Sequence, residues 1–498
     1  MVLSTAVLTA GSVLVSPDWG SVVVETNAIP TYAQVVNPSI DRDSPVHDAV
    51  IARMNSLGAT FTRYLHWSAS EAPFPELEPG IFNFTLCDEY VLDFMAVRNA
   101  ETALINFDAA PAWLHVGNDL AGPLGDPSGK ALGEWISRIL SWYTKGGFHD
   151  SRTNTTYKSA HHLSWRNYEV LNEPDLKKYL CNRNHPLQCA EEYTKLYDGI
   201  VSVLQINHPE IDLHALSMSS ISDVWVDYFF NASNHAVGTK PPAYMTYHFY
   251  AVPDQPAPIT AEWPKHMFEQ AVAFMPRARS ANAIARRSAW APTVKIFMNE
   301  LGVIGGRNCP VETLFTSSKR FWNLKAALYG FYYGEFAGMG AVGIAASQFT
   351  GYPAGAYVIR GHSLLRNFPC VSLLNWNDGS GTAHFWALQM FIDILGNGIK
   401  SVVPVNITSP QLPSGTWPLP SVIYSAGFVV GGRRIVLFSN TNASSTIASV
   451  TGAAGGTLHT VDEDAGHDAI PYRTQQLHTD TIGLLPFAVA LLEMPSEQ

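Results

Sequence analysis

The chain has 498 residues, of which 47% are hydrophobic and only 15% are charged. Disordered chains and coiled coils carry more charge, so the composition predicts a globular protein with a large apolar core. The net charge is −11 at pH 7, and no block of lysine and arginine occurs. We therefore expect no nucleic-acid partner and no anionic membrane partner, because both are bound through a basic face. No apolar run reaches the roughly 18 residues that a membrane-spanning helix needs.

The start of the chain is predicted to form β-strands. The first residues, MVLSTAVLTAGSVLV, are apolar but lack the basic beginning of a signal peptide, so none is predicted there. The alternation of Val22, Val24 and Thr26 is typical of a β-strand. We expect strands of residues 1–25 to join a sheet formed by the C-terminal part of the chain.

Residues 26–384 alternate short apolar runs with helical patterns, as parallel βα units do. Seven runs are typical of strands that are buried on both faces: 59–65, 102–107, 167–172, 211–218, 243–249, 294–299 and 341–347. A less clearly marked strand near residues 20–35 brings the number to eight. Eight units predict an α/β fold with a closed (β/α)₈ TIM barrel. An open doubly wound sheet is the alternative, but no GxGxxG follows an early strand, which argues against a dinucleotide site in such a sheet.

The pattern changes in residues 385–498. Runs such as SVIYSAGFVVGG and RRIVLFSNTN are rich in β-forming residues and are separated by Gly, Pro, Asn and Ser. This pattern predicts an accessory antiparallel β-sandwich domain.

Two glutamates follow the predicted fourth and seventh barrel strands. Glu173 comes after NYEVLN and Glu300 after VKIFMN, each directly behind an asparagine. Catalytic residues of TIM barrels lie at the carboxyl ends of the strands, so both side chains are expected at one mouth. Two facing carboxyl groups suit cleavage of a glycosidic bond. Taken alone, each glutamate could instead be a carboxylate interacting with a helix N-terminus.

Four stretches give the chain a family resemblance: INFDAAPAWL (105–114), YEVLNEPD (168–175), TYHFYA (246–251) and NWNDGSGTAHFWALQMFIDILG (375–396). With them the chain resembles the clan-A retaining glycoside hydrolases, and most closely family thirty-nine, which contains β-xylosidases and α-L-iduronidases. The resemblance covers most of residues 30–400. It implies a barrel with a β-sandwich, Glu173 as general acid/base and Glu300 as nucleophile.

Further residues complete the predicted site. The resemblance implies that Asn172 binds the sugar 2-hydroxyl and that His248 and Tyr250 lie near the nucleophile. Arg63, at the end of a strand, can hold Glu300 ionised, or it can form a purely structural ion pair. His248 and Tyr250 are two residues apart, so their side chains share one face of the strand. The alternative to a role in the site is that both are packed core residues.

Aromatic and polar residues at other strand ends are candidate sugar contacts. Trp113 and Trp376 can stack on sugar rings, and His66 and Asp108 can bind hydroxyl groups. Most of the 13 tryptophans must be core residues, however, and polar loop residues are common.

Cysteines and glycosylation motifs bear on localisation. Cys181 and Cys189 can form a disulfide across a short loop, and Cys309 and Cys370 can form a second one. Cys87 then has no partner. The alternative is that all five cysteines are reduced. Asn-x-Ser/Thr motifs occur at five positions: Asn83, Asn154, Asn231, Asn406 and Asn442. Together they favour a secreted, N-glycosylated protein.

The sequence thus predicts a retaining glycosidase that acts on an oligo- or polysaccharide through a covalent glycosyl-enzyme. We expect exo action on plant or microbial cell-wall glycans; an endo-acting hydrolase and a non-catalytic carbohydrate-binding protein are the alternatives. No cofactor is expected because two carboxylates and water suffice. No metal is expected because the histidines do not show the spacing of a metal site.

Overall fold

The structure is a computed structural model that describes residues 12–67, 74–108, 110–180, 184–252, 262–304, 319–351, 357–359, 362–364, 369–409 and 417–496. The α-helices in these ranges are α1 (His47–Leu57), α2 (Thr85–Met95), α3 (Lys130–Thr144), α4 (Pro186–Asn207), α5 (Asp223–Phe229), α6 (Glu262–Arg286), α7 (Lys319–Gly338) and α8 (Ala383–Leu395). The first sixteen strands are β1 (Val13–Pro17), β2 (Val24–Thr26), β3 (Ile29–Val35), β4 (Arg63–Trp67), β5 (Glu76–Glu78), β6 (Ile81–Phe82), β7 (Leu104–Asp108), β8 (Gly147–Asp150), β9 (Thr155–Lys158), β10 (Asn167–Glu169), β11 (Asp212–Met218), β12 (Tyr244–Ala251), β13 (Lys295–Val303), β14 (Gly343–Ser347), β15 (Tyr357–Ile359) and β16 (His362–Leu364). The C-terminal strands are β17 (Lys400–Val403), β18 (Val405–Thr408), β19 (Ile423–Val430), β20 (Arg433–Asn440), β21 (Thr446–Ser449), β22 (Thr457–Val461), β23 (Arg473–Gln476), β24 (Thr481–Leu484) and β25 (Val489–Glu493).

Eight parallel strands close into a barrel in the order β10-β11-β12-β13-β14-β3-β4-β7. In chain order β3 is the first barrel strand, β10 the fourth and β13 the seventh. Each of the eight overlaps one of the predicted apolar runs, so the predicted (β/α)₈ barrel is confirmed. The runs are continuous because both strand faces are covered: every residue of β7 and of β14 is buried.

The helices around the barrel bury apolar side chains, and Lys319–Gly338 is buried on nearly all sides. In α3 an apolar stripe consists of buried residues at helical spacing, namely Leu132, Trp135, Ile136, Ile139, Leu140 and Tyr143. Side chains of the helices and of the outward strand faces form one continuous core. This rigid scaffold leaves the carboxyl ends of the strands free to carry polar side chains.

Two further sheets form the accessory domain. One has seven strands, β2-β17-β19-β20-β25-β22-β23, and the other has four, β18-β1-β21-β24. Val15 and Ile482 of the smaller sheet share a core with Val436 and Phe438 of the larger one, so the two sheets form a sandwich. The pairing is antiparallel except between β1 and β21.

The domain boundaries at 25/26 and 384/385 stay predictions. The N-terminal strands β1 and β2 belong to the accessory sheets, and β3 begins the barrel. Helix α8 begins at the second boundary and packs against barrel elements β3 and α7 as well as against β22 and β25. The accessory sheets and the barrel therefore share this helix.

The glycosylation motifs and the cysteines have the following surroundings. Asn83, Asn154, Asn231 and Asn406 are exposed, and Asn442 is half-buried. Cys87 is a free, buried thiol. The two predicted disulfides involve Cys181 and Cys309, which lie outside the described residues, as does most of the apolar N-terminal stretch. Among the described helices, none has the length and apolarity that crossing a membrane requires.

Candidate active site

Glu300 is aimed into the barrel by a bulge in β13. Along the pairing with β12 the register passes from Tyr247 opposite Met298 to His248 opposite Glu300, so Asn299 is an extra residue. An extra residue interrupts the alternation of strand faces and redirects the side chains that follow. Asn299 donates to Glu169 at 2.5 Å, and Glu300 accepts from Arg63 at 2.5 Å. Both sequence neighbours therefore point into the barrel.

Glu173 is held by a turn with unusual backbone angles. Its φ and ψ are 47° and 56°, and Leu171, two residues earlier, has a φ of 65°. Residues other than glycine rarely adopt this left-handed conformation, which costs about 1–3 kcal/mol for each residue. The Glu173 amide donates to the Ser217 carbonyl at 2.9 Å, and Pro174 begins a short 3₁₀ turn, Pro174–Leu176. The Glu173 side chain keeps 23% of its surface exposed, against 8% for Glu300.

Arg63 connects the buried acidic groups of the site. Its Nη1 lies 2.5 Å from Oε1 of Glu300, while its Nε and Nη2 lie 2.9 and 2.5 Å from Oε2 of Glu169. Nη2 also donates to Oδ1 of Asn172 at 2.7 Å. Burial lowers the pKa of the fully buried Arg63, but the charges of Glu169 and Glu300 outweigh burial and raise this pKa. Arg63 is thus a fixed positive charge at the centre of the barrel.

Glu300 is held as a carboxylate. Burial raises its pKa, but the positive charges of His248 and Arg63 and the hydrogen bond from Tyr250 act in the opposite direction, and the pKa of Glu300 is lowered as a result. The Tyr250 hydroxyl lies 2.7 Å from Oε2 of Glu300 and 2.5 Å from Oγ of Ser347. A buried, ionised carboxylate with fixed oxygens has the properties of a nucleophile.

His248 lies between the two glutamates. Its Nδ1 is 3.1 Å from Oε1 of Glu173 and 3.5 Å from Oε2 of Glu300, and its Nε2 is 3.0 Å from the Ser217 hydroxyl. Burial lowers the pKa of His248, whereas the charge of Glu300 and the contact with Glu173 raise it, and the net direction is upward. The imidazole therefore orients the Glu173 carboxyl group towards Glu300.

The two carboxyl groups are close enough to act on one bond. One oxygen of Glu173, one oxygen of Glu300 and one nitrogen of His248 all lie within 4.8 Å of one another. Retaining glycosidases have carboxyl groups about 5–5.5 Å apart, whereas inverting enzymes leave about 6.5–9.5 Å for a water molecule. The same three residues have donors that a metal ion can use. Arg63, however, already occupies Oε1 of Glu300 with a positive charge, which would repel a bound cation.

The architecture, a (β/α)₈ barrel with an accessory β-sandwich, is similar to that of solved glycoside hydrolases from several families. A GH51 arabinofuranosidase from Xanthomonas axonopodis pv. citri matches with a TM-score of 0.64 at 12% identity over 97% of this chain and 100% of that chain. A GH39 β-xylosidase from Caulobacter crescentus matches with a TM-score of 0.58 at 13% identity, and a GH30 endoxylanase from Clostridium papyrosolvens C71 with 0.55 at 12%; each match covers 97% of this chain and 100% of the other.

These similarities are structural only. No family model matches the sequence, and no curated protein matches it. Family thirty-nine, which the sequence resembles, is thus among several glycoside hydrolase families whose solved structures share this fold. At 10–13% identity the similarity establishes the architecture, and the chemistry must be argued from the site itself.

Six of the predicted site residues come together at the mouth of the barrel. They are Arg63, Asn172, Glu173, His248, Tyr250 and Glu300. The other four predicted residues have different surroundings.

His66 lies outside the site, contrary to our expectation that it binds sugar. It is fully buried between Tyr64, whose hydroxyl is 3.1 Å from Nδ1, and Cys87, whose sulfur is 3.6 Å from Nε2. Its ring also packs on Phe107. Burial lowers the pKa of His66 to about 3, so this histidine is neutral and packed in the core.

Asp108 is also fully buried, and its carboxylate accepts a bond from Lys177 at 2.7 Å. Lys177 follows the short turn that begins after Glu173, so Asp108 fastens that turn to β7 instead of contacting a ligand at the surface. Trp113 is half-buried, donates to the Glu76 carbonyl at 3.2 Å and lies under the Arg152 guanidinium. Trp376 is buried with 8% of its surface exposed. Roles in sugar stacking for the two tryptophans stay predictions.

The sequence analysis did not single out Glu169, a central residue of the site's hydrogen-bond network. Glu169 is fully buried inside the barrel and accepts bonds from four side chains: Arg63, Asn106, Thr246 and Asn299. One signal was available, since a glutamate inside the apolar run NYEVLN must have partners in order to be buried. Ser217 was missed as well, because a serine in a strand gives no such signal.

Proposed function

We propose that this protein is a retaining glycosidase in which Glu300 is the nucleophile and Glu173 the general acid/base. The main support is the pair of carboxyl groups, which have oxygens within 4.8 Å of each other. Glu300 is buried and ionised, and Glu173 is partly exposed. Their difference in environment assigns the two roles, because a nucleophile must be charged and an acid must reach the leaving group.

The proposed reaction has two steps. In the first, a carboxylate oxygen of Glu300 attacks the anomeric carbon, the bond to the leaving oxygen breaks, and Glu173 gives its proton to that oxygen. In the second, Glu173 takes a proton from water, the water oxygen attacks the anomeric carbon, and Glu300 leaves as a carboxylate. Because Arg63 occupies Oδ1 of Asn172, the amide NH₂ group is left as the donor to the sugar 2-hydroxyl.

The experiment that tests this proposal compares the wild type and Glu300→Gln on nitrophenyl xyloside, glucoside, galactoside, arabinosides and uronides. We expect turnover on one sugar and its loss in the variant. A 2-deoxy-2-fluoro analogue of that sugar should then add one glycosyl group to the wild type, located on Glu300 by peptide mass spectrometry. Unchanged turnover of Glu300→Gln would contradict the assignment of the nucleophile.

We propose exo action on cell-wall glycans, since two of the matching structures are named as an arabinofuranosidase and a β-xylosidase. A GH30 endoxylanase matches as well, which makes endo action the second candidate. Incubation with xylan and arabinan separates the two modes. Exo action releases monosaccharide while viscosity stays high, and endo action lowers viscosity early.

A non-catalytic carbohydrate-binding protein on the same fold is the third candidate. It predicts binding of sugars without turnover of any substrate, and equal binding by the wild type and Glu300→Gln. The ionised Glu300 beside a partly exposed Glu173 favours the enzyme, since a binding protein has no need of a nucleophile.

Secretion and N-glycosylation belong to the same proposal. The four exposed asparagines of the glycosylation motifs support it, because a glycan must extend into solvent. The Cys181–Cys189 and Cys309–Cys370 disulfides are proposed with it. Peptide mapping of protein from a eukaryotic secretion host, without reduction and with and without glycosidase treatment, tests both features.

A further inference from the structure

We propose that the β-sandwich carries a second, non-catalytic saccharide-binding site in a groove around Trp19. The groove lies at one end of the seven-stranded sheet, where β20 and β22 begin and β23 and β25 end. Its volume is about 760 Å³. Small-molecule sites range over roughly 300–1,000 Å³, so the groove has room for several sugar units.

Trp19 provides the aromatic surface of this groove. It is half-buried, because it packs against the sandwich core, and the Arg434 guanidinium lies 5.6 Å from its ring centroid. Within the described part of the chain, the indole N–H donates no hydrogen bond, and it is not buried. A fixed tryptophan with an open polar edge suits a ligand that is apolar on one face and rich in hydroxyl groups at its rim.

Planar polar side chains surround the tryptophan. Arg433 pairs with Glu493 at 2.5 Å, and Gln476 donates to the Thr457 hydroxyl at 2.7 Å. These bonds fix the side chains in place before any ligand binds, which reduces the entropy lost on binding. Guanidinium, carboxylate, amide and hydroxyl groups offer both donors and acceptors, as neighbouring hydroxyls on a sugar ring require.

The choice of a saccharide rests on the proposed function, since the barrel of the same chain is proposed to act on glycans. A second site on the sandwich would hold a polysaccharide near the barrel and raise its effective concentration there. The polymer can be neutral or can carry uronate groups, and the two arginines in the groove accommodate either.

Affinity gel electrophoresis tests the site, with xylan, arabinan or polygalacturonate in the gel. We expect at least one polymer to retard the protein, and Trp19→Ala to weaken this binding about 5- to 10-fold, as the loss of one aromatic contact does. Retardation by xylan or arabinan indicates a neutral chain, and retardation by polygalacturonate alone indicates an acidic chain. Lack of retardation by all three, or equal retardation of Trp19→Ala, would overturn the proposal.

Two further variants test the groove independently if Trp19→Ala folds poorly. Gln476→Ala removes an exposed side chain from the groove, whereas Gln475→Ala removes its neighbour on the opposite face of β23. We expect weaker binding only for Gln476→Ala; identical binding by both variants would overturn the site. Glu300→Gln should bind normally while losing turnover, and Trp19→Ala should retain hydrolysis of small aryl glycosides. Failure of the second site is thereby distinguished from failure of the proposed function.

Discussion

Nη1 of Arg63 lies 2.5 Å from Oε1 of Glu300, in a place where the arginine has no contact with solvent. The other two nitrogens of the same guanidinium contact Glu169. One buried positive charge is therefore shared by two buried carboxylates, one of which is the proposed nucleophile. This sharing determines how far Arg63 lowers the pKa of Glu300.

Arg63→Lys should lower kcat/KM by about 100-fold or more, because an ammonium cannot contact Glu169, Asn172 and Glu300 in fixed geometry. Arg63 lowers the pKa of Glu300, so this change should raise it. A nucleophile is active only above its pKa, and the acid limb of the kcat/KM profile should therefore move to higher pH. Arg42→Lys, on an exposed pair with Asp93, is the control and should leave the profile unchanged.

Glu169→Gln should move the same acid limb in the opposite direction. Without the second carboxylate, the full charge of Arg63 acts on Glu300, and the pKa of Glu300 should fall. The measurement is again the pH profile of kcat/KM, together with a thermal melt.

The control for Glu169→Gln is Glu76→Gln, because Glu76 is another fully buried carboxylate bonded to an arginine, Arg152. We expect both variants to lose stability and only Glu169→Gln to shift the acid limb. If the two shift equally or not at all, Glu169 has only a structural role.

The barrel was predictable from the sequence because its strands are covered on both faces. Continuous apolar runs indicated seven of the eight strands, and the first strand was only weakly marked. Glu173 and Glu300, the polar residues that follow two of these runs, indicated the mouth. The sandwich was predictable in type because turn residues separate its strands. The pairing of β1 with β18 and β21 was not, because contacts between distant segments leave no local signal.

The misplacement of His66 has a specific physical cause. Arg63 and His66 are three apart in one strand, so an inward Arg63 requires an outward His66; strict alternation already excluded placing both at the mouth. Alternation alone would also turn Glu300 away from its neighbour Asn299, and only the bulge brings both inward. A bulge depends on the register of two strands that are distant in the chain. For the same reason the partners of Glu169 could not be inferred from one sequence.

Tyr250→Phe removes the hydroxyl that donates to Glu300 at 2.7 Å. A hydrogen bond to a charged group contributes about 1.5–3 kcal/mol, so we expect kcat/KM to fall by roughly 10- to 100-fold. The pKa of Glu300 should rise, and the acid limb should move to higher pH, as for Arg63→Lys. Tyr247→Phe is the matched control, because Tyr247 lies on the outer face of the same strand and bonds to Asn282. An unchanged acid limb in Tyr250→Phe would mean that this hydroxyl does not act on the nucleophile.

Glu173→Ala distinguishes an acid/base role from a purely structural one. A leaving group that departs readily needs no proton, so hydrolysis of dinitrophenyl glycosides should be nearly preserved in its first step, while substrates with poor leaving groups should lose about 10²–10⁴-fold. Azide, a nucleophile that needs no general base, should restore turnover of the activated substrate and give a glycosyl azide of retained configuration. Asp175→Asn is the control, since the Asp175 carboxylate lies in the same turn but accepts bonds from Ser219. Equal losses on good and poor leaving groups, without rescue by azide, would mean that Glu173 has only a structural role. The proton donor would then be another group near Glu300.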